Sequence, residues 1–146
     1  MNAHPPYAPD AAMALGIAAT ALPFARTRED EAERWLRVLR LHGEVGVALQ
    51  ALGVSEVPIA EHYATAAGAR SVKGEAAPRD AVALVTEEAV RIAGERGAEG
   101  VATTELLMAV MQVYGEDFDR VLRSHGTDRD EVLARLDLQT APPSAG

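Results

Sequence analysis

Glu33-Arg34-Trp35-Leu36-Arg37-Val38-Leu39-Arg40-Leu41-His42-Gly43-Glu44 is the most telling stretch of the chain, because its pattern returns 72 residues later. There it reads Glu105-Leu106-Leu107-Met108-Ala109-Val110-Met111-Gln112-Val113-Tyr114-Gly115-Glu116. Trp35 falls on Leu107, Val38 on Val110, Leu39 on Met111, and Gly43-Glu44 on Gly115-Glu116. One further residue brings Leu49 onto Leu122 and Gly53 onto Gly126. Apolar residues at three- and four-residue steps mark amphipathic helices, and the glycines mark where they stop. Both halves therefore read long helix, short helix, tight turn, short helix, glycine and capped helix. Units of this length stack to bury a shared face, which predicts an all-α chain.

On either side of these stretches the pattern predicts up to eight short helices in all. The first runs from about Asp10 to Leu22 and stops at Pro23. Thr27 precedes Glu29 and Asp30 as a cap for the second, whose apolar face holds Trp35, Leu36 and Leu39. Val45 to Leu52 forms the third, and Ser55 caps a fourth running to about Ala67. Gly68 to Pro78 reads as a polar linker. Asp80 opens the fifth, with Val85, Ala89, Ile92 and Ala93 facing in and Glu87, Glu88, Arg91 and Glu95 facing out. Thr103, Glu116 and Thr127-Asp128 begin the remaining three. The expected layout is one domain over 10–140: repeat one about 10–68, linker 69–78, repeat two about 79–138. Residues 1–9 and 141–146, both proline-rich, are expected to be flexible tails.

Composition removes many functions. With 146 residues the chain has room for one ordinary domain, and 48% hydrophobic content is too apolar for an acidic disordered tail. Aromatics make up 4%, and alanine is the commonest residue, which favours thin helices packed closely over a β-sandwich. No cysteine means no disulfide, thiolate metal site or cysteine nucleophile. A net charge of -8, with Lys73 the single lysine, argues against binding nucleic acid. Ala11 to Ala21 lacks the basic leader of a signal peptide, so the expected location is the cytoplasm, away from membranes.

The search for chemistry returns little. His4, His42, His62 and His125 have no pairing at zinc-helix spacing, so no metal and no cofactor are expected. His42 and His125 lie beside helix-ending glycines, where a histidine meets a helix C-terminus favourably. Gly94, Gly97 and Gly100 follow no strand and precede no Gly-Lys-Ser/Thr. Glu29-Asp30-Glu31-Glu33 and Glu116-Asp117-Asp119 fall mainly in first helical turns, where the helix dipole accounts for them. Arg34, Arg37 and Arg40 interleave with those acids and read as intrahelical ion-pair partners. No catalytic residue and no enzyme activity are expected.

Ala93-Gly94-Glu95-Arg96-Gly97-Ala98-Glu99-Gly100-Val101-Ala102-Thr103-Thr104-Glu105-Leu106-Leu107-Met108-Ala109-Val110-Met111 resembles the signature of the Clp amino-terminal repeat. The tail Val121-Leu122-Arg123-Ser124-His125-Gly126 resembles that repeat's short helix and closing glycine. The resemblance covers about Arg79 to Leu136, and in the first half about Ala32 to Val54. It implies an all-helical domain of two four-helix repeats related by pseudo-twofold symmetry. In that family the domain does no chemistry and binds substrates and adaptors of Clp unfoldases.

The departures fall on the positions by which some members recognise phosphorylated arginine. Pro78-Arg79 replaces the usual Phe-Thr opening, and Thr104 stands where that family has glutamate, with Glu105 one step later. The resemblance therefore carries over the fold more fully than that ligand site. It implies a noncatalytic accessory or decoy in Clp-dependent proteolysis, with Clp ATPase or protease subunits, adaptors or substrate proteins as partners. Candidate binding residues are Arg79, Glu87 and Arg91 on one face, and Thr103, Thr104 and Glu105 on another. Sequestration of a small molecule or peptide antibiotic is the alternative, with Met13, Trp35, Met108 and Met111 as adaptable surface.

Overall fold

The computed structural model describes residues 7–54 and 80–137. The expected fourth helix, the linker, Arg79, and the outer parts of both tails lie outside the described residues. Seven α-helices are described: α1 (Pro9–Ala21), α2 (Arg28–Leu39), α3 (Gly43–Ala51), α4 (Ala81–Arg96), α5 (Thr103–Tyr114), α6 (Glu116–Ser124) and α7 (Arg129–Arg135). A 3₁₀ turn, Leu22–Phe24, accommodates Pro23 after α1. Among the described residues there is no strand, only an isolated bridge between Tyr7 and Val101.

Side-chain caps set three of the seven described helix starts. Thr27 accepts from the Asp30 amide at 3.0 Å, Asp80 from the amides of Val82 and Ala83, and Asp128 from that of Glu131. Each side chain satisfies amides that have no partner inside their own helix. Gly97 closes α4 in the left-handed conformation, at φ +69.

α2 and α5 form the centre. α5 packs against α1, α2, α3, α4 and α6, and α2 against α1, α3, α5 and α6. Trp35, Leu36 and Leu39 of α2 and Leu106 and Leu107 of α5 are fully buried, with Leu49 from α3 and Phe118 and Leu122 from α6. Ala14 and Ala18 of α1 and Ala89 and Ala93 of α4 are buried too. Their small side chains let the outer helices approach the two central ones closely.

The two stretches aligned in the sequence close in the same way. After α3, the Leu52 and Val54 amides both donate to the Leu49 carbonyl, and Gly53 donates to Gln50. After α6, His125 and Thr127 donate to Leu122, and Gly126 to Arg123. Gly53 and Gly126 hold φ +95 and +91. The likeness lapses at Gly46, where a Cβ would stand 2.7 Å from the Arg40 carbonyl oxygen. Counting 73 residues on from Gly46 gives Asp119, which turns outward to pair with Arg129.

Two boundaries differ from the sequence reading. Residues 7–9 belong to the fold, because the Ala8 amide donates to the Val101 carbonyl at 2.8 Å and Pro9 is the first residue of α1. α3 begins at Gly43, two residues earlier than expected. A Cβ on Gly43 would stand 2.6 Å from Thr103 Oγ1 and 3.3 Å from Asp10 Oδ2, so the starts of α1, α3 and α5 converge there.

Candidate functional site

Glu87 and Arg91 lie on the exposed side of α4, as their spacing from Val85 and Ala89 required. Arg91 is engaged along its own helix, with Glu88 and with Glu95, whose Oε2 is 2.6 Å away. Its hydrogen bond to Glu88, followed by the charges of Glu88 and Glu95, raises its already high pKa. Arg79, expected beside these two, lies outside the described residues.

The second trio has a different fate. Thr103 is buried against the start of α3, and Thr104 is half-buried. Glu105 is 4% exposed: its Oε1 accepts from the Ala102 amide at 2.8 Å and its Oε2 from Arg96 at 2.7 Å. A carboxylate three residues into a helix that reaches back to the cap amide is one half of a capping box. Glu105 therefore holds the α4–α5 corner together. The surface above it consists of the Arg96 guanidinium, whose Nη1 also lies 3.6 Å from the Met108 sulfur, with Met108 and Thr104 half-buried. Glu87 and Arg91 sit further up α4 and on a different side of it from Arg96, so the two expected faces remain separate.

The sequence reading missed a buried polar seam along α2. Glu31 is 6% exposed and accepts from the Tyr114 hydroxyl at 2.7 Å. Burial lifts the Glu31 carboxyl above its ordinary range, and Tyr114 and Arg28 draw it back only in part. Burial, then the hydrogen bond to Glu31, pushes the Tyr114 hydroxyl up in turn. Arg28 lies over the Tyr114 ring at 5.1 Å, donates to the Val113 carbonyl at 2.7 Å and pairs with Asp117 at 3.1 Å. Arg120 pairs with Asp117 and with Glu29. This polar edge ties the start of α2 to the end of α5 and the start of α6.

Further along α2, Glu33 accepts from Arg37 Nε at 3.0 Å and from His125 Nε2 at 3.1 Å. A carboxylate only accepts, so His125 gives its Nε2 hydrogen to Glu33, and its buried Nδ1 has no hydrogen-bond partner among the described residues. His125 is the C-cap of α6, at a helix C-terminus as expected, but its ring is sealed in the interior across from α2. His42 does what was expected, bonding the Val38 carbonyl near the end of α2 at 2.8 Å. The His125–Glu33 pair has the form of a base and its orienting carboxylate, but both side chains are 2% exposed or less. A signal for Glu31 was present in the sequence: it stands four residues before Trp35 and seven before Val38, on the buried face.

Among the described residues no group of three or more histidines or carboxylates is placed to hold a metal ion. No described helix is long and apolar enough to cross a membrane. No model of a known protein family matches the chain, and a search of curated proteins returns no match.

Proposed function

We propose that this chain is a noncatalytic protein-interaction module of the Clp amino-terminal type, built as two tandem four-helix repeats. In this reading it works in the cytoplasm as an accessory or decoy in Clp-dependent proteolysis. The observation that carries it is the recurrence of a glycine-centred turn at Leu49–Val54 and Leu122–Thr127, at places set by the match of residues 33–44 with 105–116. The burial of Trp35 with Leu107, and of Glu33 with Glu105, at matching positions supports the same reading. So does the disposition of reactive groups: Glu31, Glu33, Tyr114 and His125 partner one another in the interior. What faces solvent at the α4–α5 corner is Arg96, with Thr104 and Met108 half-buried beside it, and Glu87 and Arg91 lie further up α4; this is a mixed surface suited to a protein partner.

The test is retention of Clp ATPase, protease and adaptor subunits on the immobilised full chain. Binding is expected from at least one of them, weakened by Arg96→Ala. A folded chain that retains none of the three classes refutes the proposal.

A further inference from the structure

Among the described residues, large apolar side chains stand exposed at Leu41 and Val47, before and within α3, and along the outer side of α1. From Ala11 to Ala25 the sequence has no ionisable residue, in a chain that is 25% charged. Ala11, Ala14 and Ala18 are buried, while the other side of α1 presents Met13 at 59% and Ile17 at 44% exposure. Ala12, Gly16 and Thr20 lie exposed beside them, and Phe24 follows in the 3₁₀ turn at 71%.

α4 provides an internal comparison. Val85, Ala89 and Ala93 are buried at the spacing of Ala14, Ala18 and Leu22. Counting 71 residues on from Gly16, Ile17 and Thr20 gives Glu87, Glu88 and Arg91. At these three positions α4 carries ions and α1 carries glycine, isoleucine and threonine, while Met13 falls on the apolar Leu84.

We propose that this face is where two copies of the chain meet, α1 against α1 across a twofold axis near Gly16. Each copy carries a net charge of -8, so approach through the ionised remainder of the surface brings like charges together. The uncharged face of α1 is where that repulsion is least. A twofold contact sets the same patch on both sides, so neither copy strips water from an ion to make it. A partner with a charged surface would lose hydration there and gain no counter-charge. Gly16 fits the same geometry: a Cβ on it would meet nothing within 4 Å in its own chain. Mid-helix glycine weakens a helix, and here it lets two backbones approach.

This inference does not rest on the Clp reading, and either can fail alone. The experiment is sedimentation of the full chain from about 1 to about 300 µM, a range that spans the weak end of specific association. A dimer is expected, tightening as salt rises because screening relieves the mutual repulsion. Ile17→Glu enters the interface twice and is expected to weaken it at least about 30-fold. Met13→Glu, at a more exposed position, repeats the test if Ile17→Glu disturbs the helix by circular dichroism. Asp130→Asn, on the exposed side of α7, is expected to change the dissociation constant less than about twofold. A chain that stays monomeric throughout overturns the proposal, as does a dimer indifferent to both α1 substitutions.

Discussion

Replacing Gly43 by alanine tests the convergence of three helix starts at one point. Gly43 has φ +64, and a Cβ there would lie 2.6 Å from Thr103 Oγ1 and 3.0 Å from Thr103 Cγ2. Two costs add. The left-handed backbone costs an alanine about 1 kcal/mol relative to glycine. Forcing Thr103 aside in a buried site adds about 1–3 kcal/mol, the usual range for overpacking. The expected loss is therefore about 2–4 kcal/mol. Gly97 supplies the reference, because it has φ +69 and a Cβ there would meet nothing within 4 Å. Gly97→Ala should lose only the backbone part, about 1 kcal/mol. In a Thr103→Ala background both Thr103 atoms are gone, and Gly43→Ala should fall close to that value, with only the Asp10 carboxylate at 3.3 Å left to give way. Urea unfolding followed by Trp35 fluorescence reads all of this, since Trp35 is the single tryptophan and is fully buried. A cost for Gly43→Ala no greater than that for Gly97→Ala, or one unchanged by Thr103→Ala, would refute the reasoning.

Two further predictions concern the buried acids. The Glu31 carboxyl is raised in the folded chain above its ordinary value of 4.5, so between the two pKa values the unfolded state binds fewer protons and stability falls as pH rises. The side-chain amide introduced by Glu31→Gln keeps an oxygen to accept from Tyr114 and removes that titration. The variant should therefore gain on the wild type at pH well above 4.5 and lose the advantage below it, read from urea midpoints across that range; a gap independent of pH would contradict the assignment. Glu105→Ala leaves the Ala102 amide and the Arg96 guanidinium without their acceptor and should cost about 1–3 kcal/mol by the same unfolding assay. Arg96→Ala should cost less, because its side chain is 38% exposed.

Features that depend on a few neighbouring residues were legible in the sequence. Thr27, Asp80 and Asp128 cap helices because their side chains reach amides two or three residues on, wherever the rest of the chain lies. The Arg34–Asp30 and Arg37–Glu33 pairs follow from one helical turn of spacing. The candidate surface was only partly legible. Glu87 and Arg91 face outward as spacing requires, whereas Thr103 is buried because α1 and α3 start against it.

The acids of α2 mark the boundary most clearly. Both Glu31 and Glu33 read as solvated first-turn residues, because local spacing identifies one apolar stripe and α2 is covered on several sides. Their partners, Tyr114 and His125, are 83 and 92 residues away. Nothing in the neighbourhood of either glutamate names them. The helices, their caps and the match between residues 33–44 and 105–116 could be read from the linear chain, since periodicity and short-range hydrogen bonding set them. Which carboxylates are withdrawn from water, and that the exposed side of α1 is left uncharged, became visible once the helices were packed. Burial is a property of the whole packed chain, and it is burial that turns an ordinary glutamate into a costly one and incomplete burial that leaves an ordinary isoleucine as exposed surface.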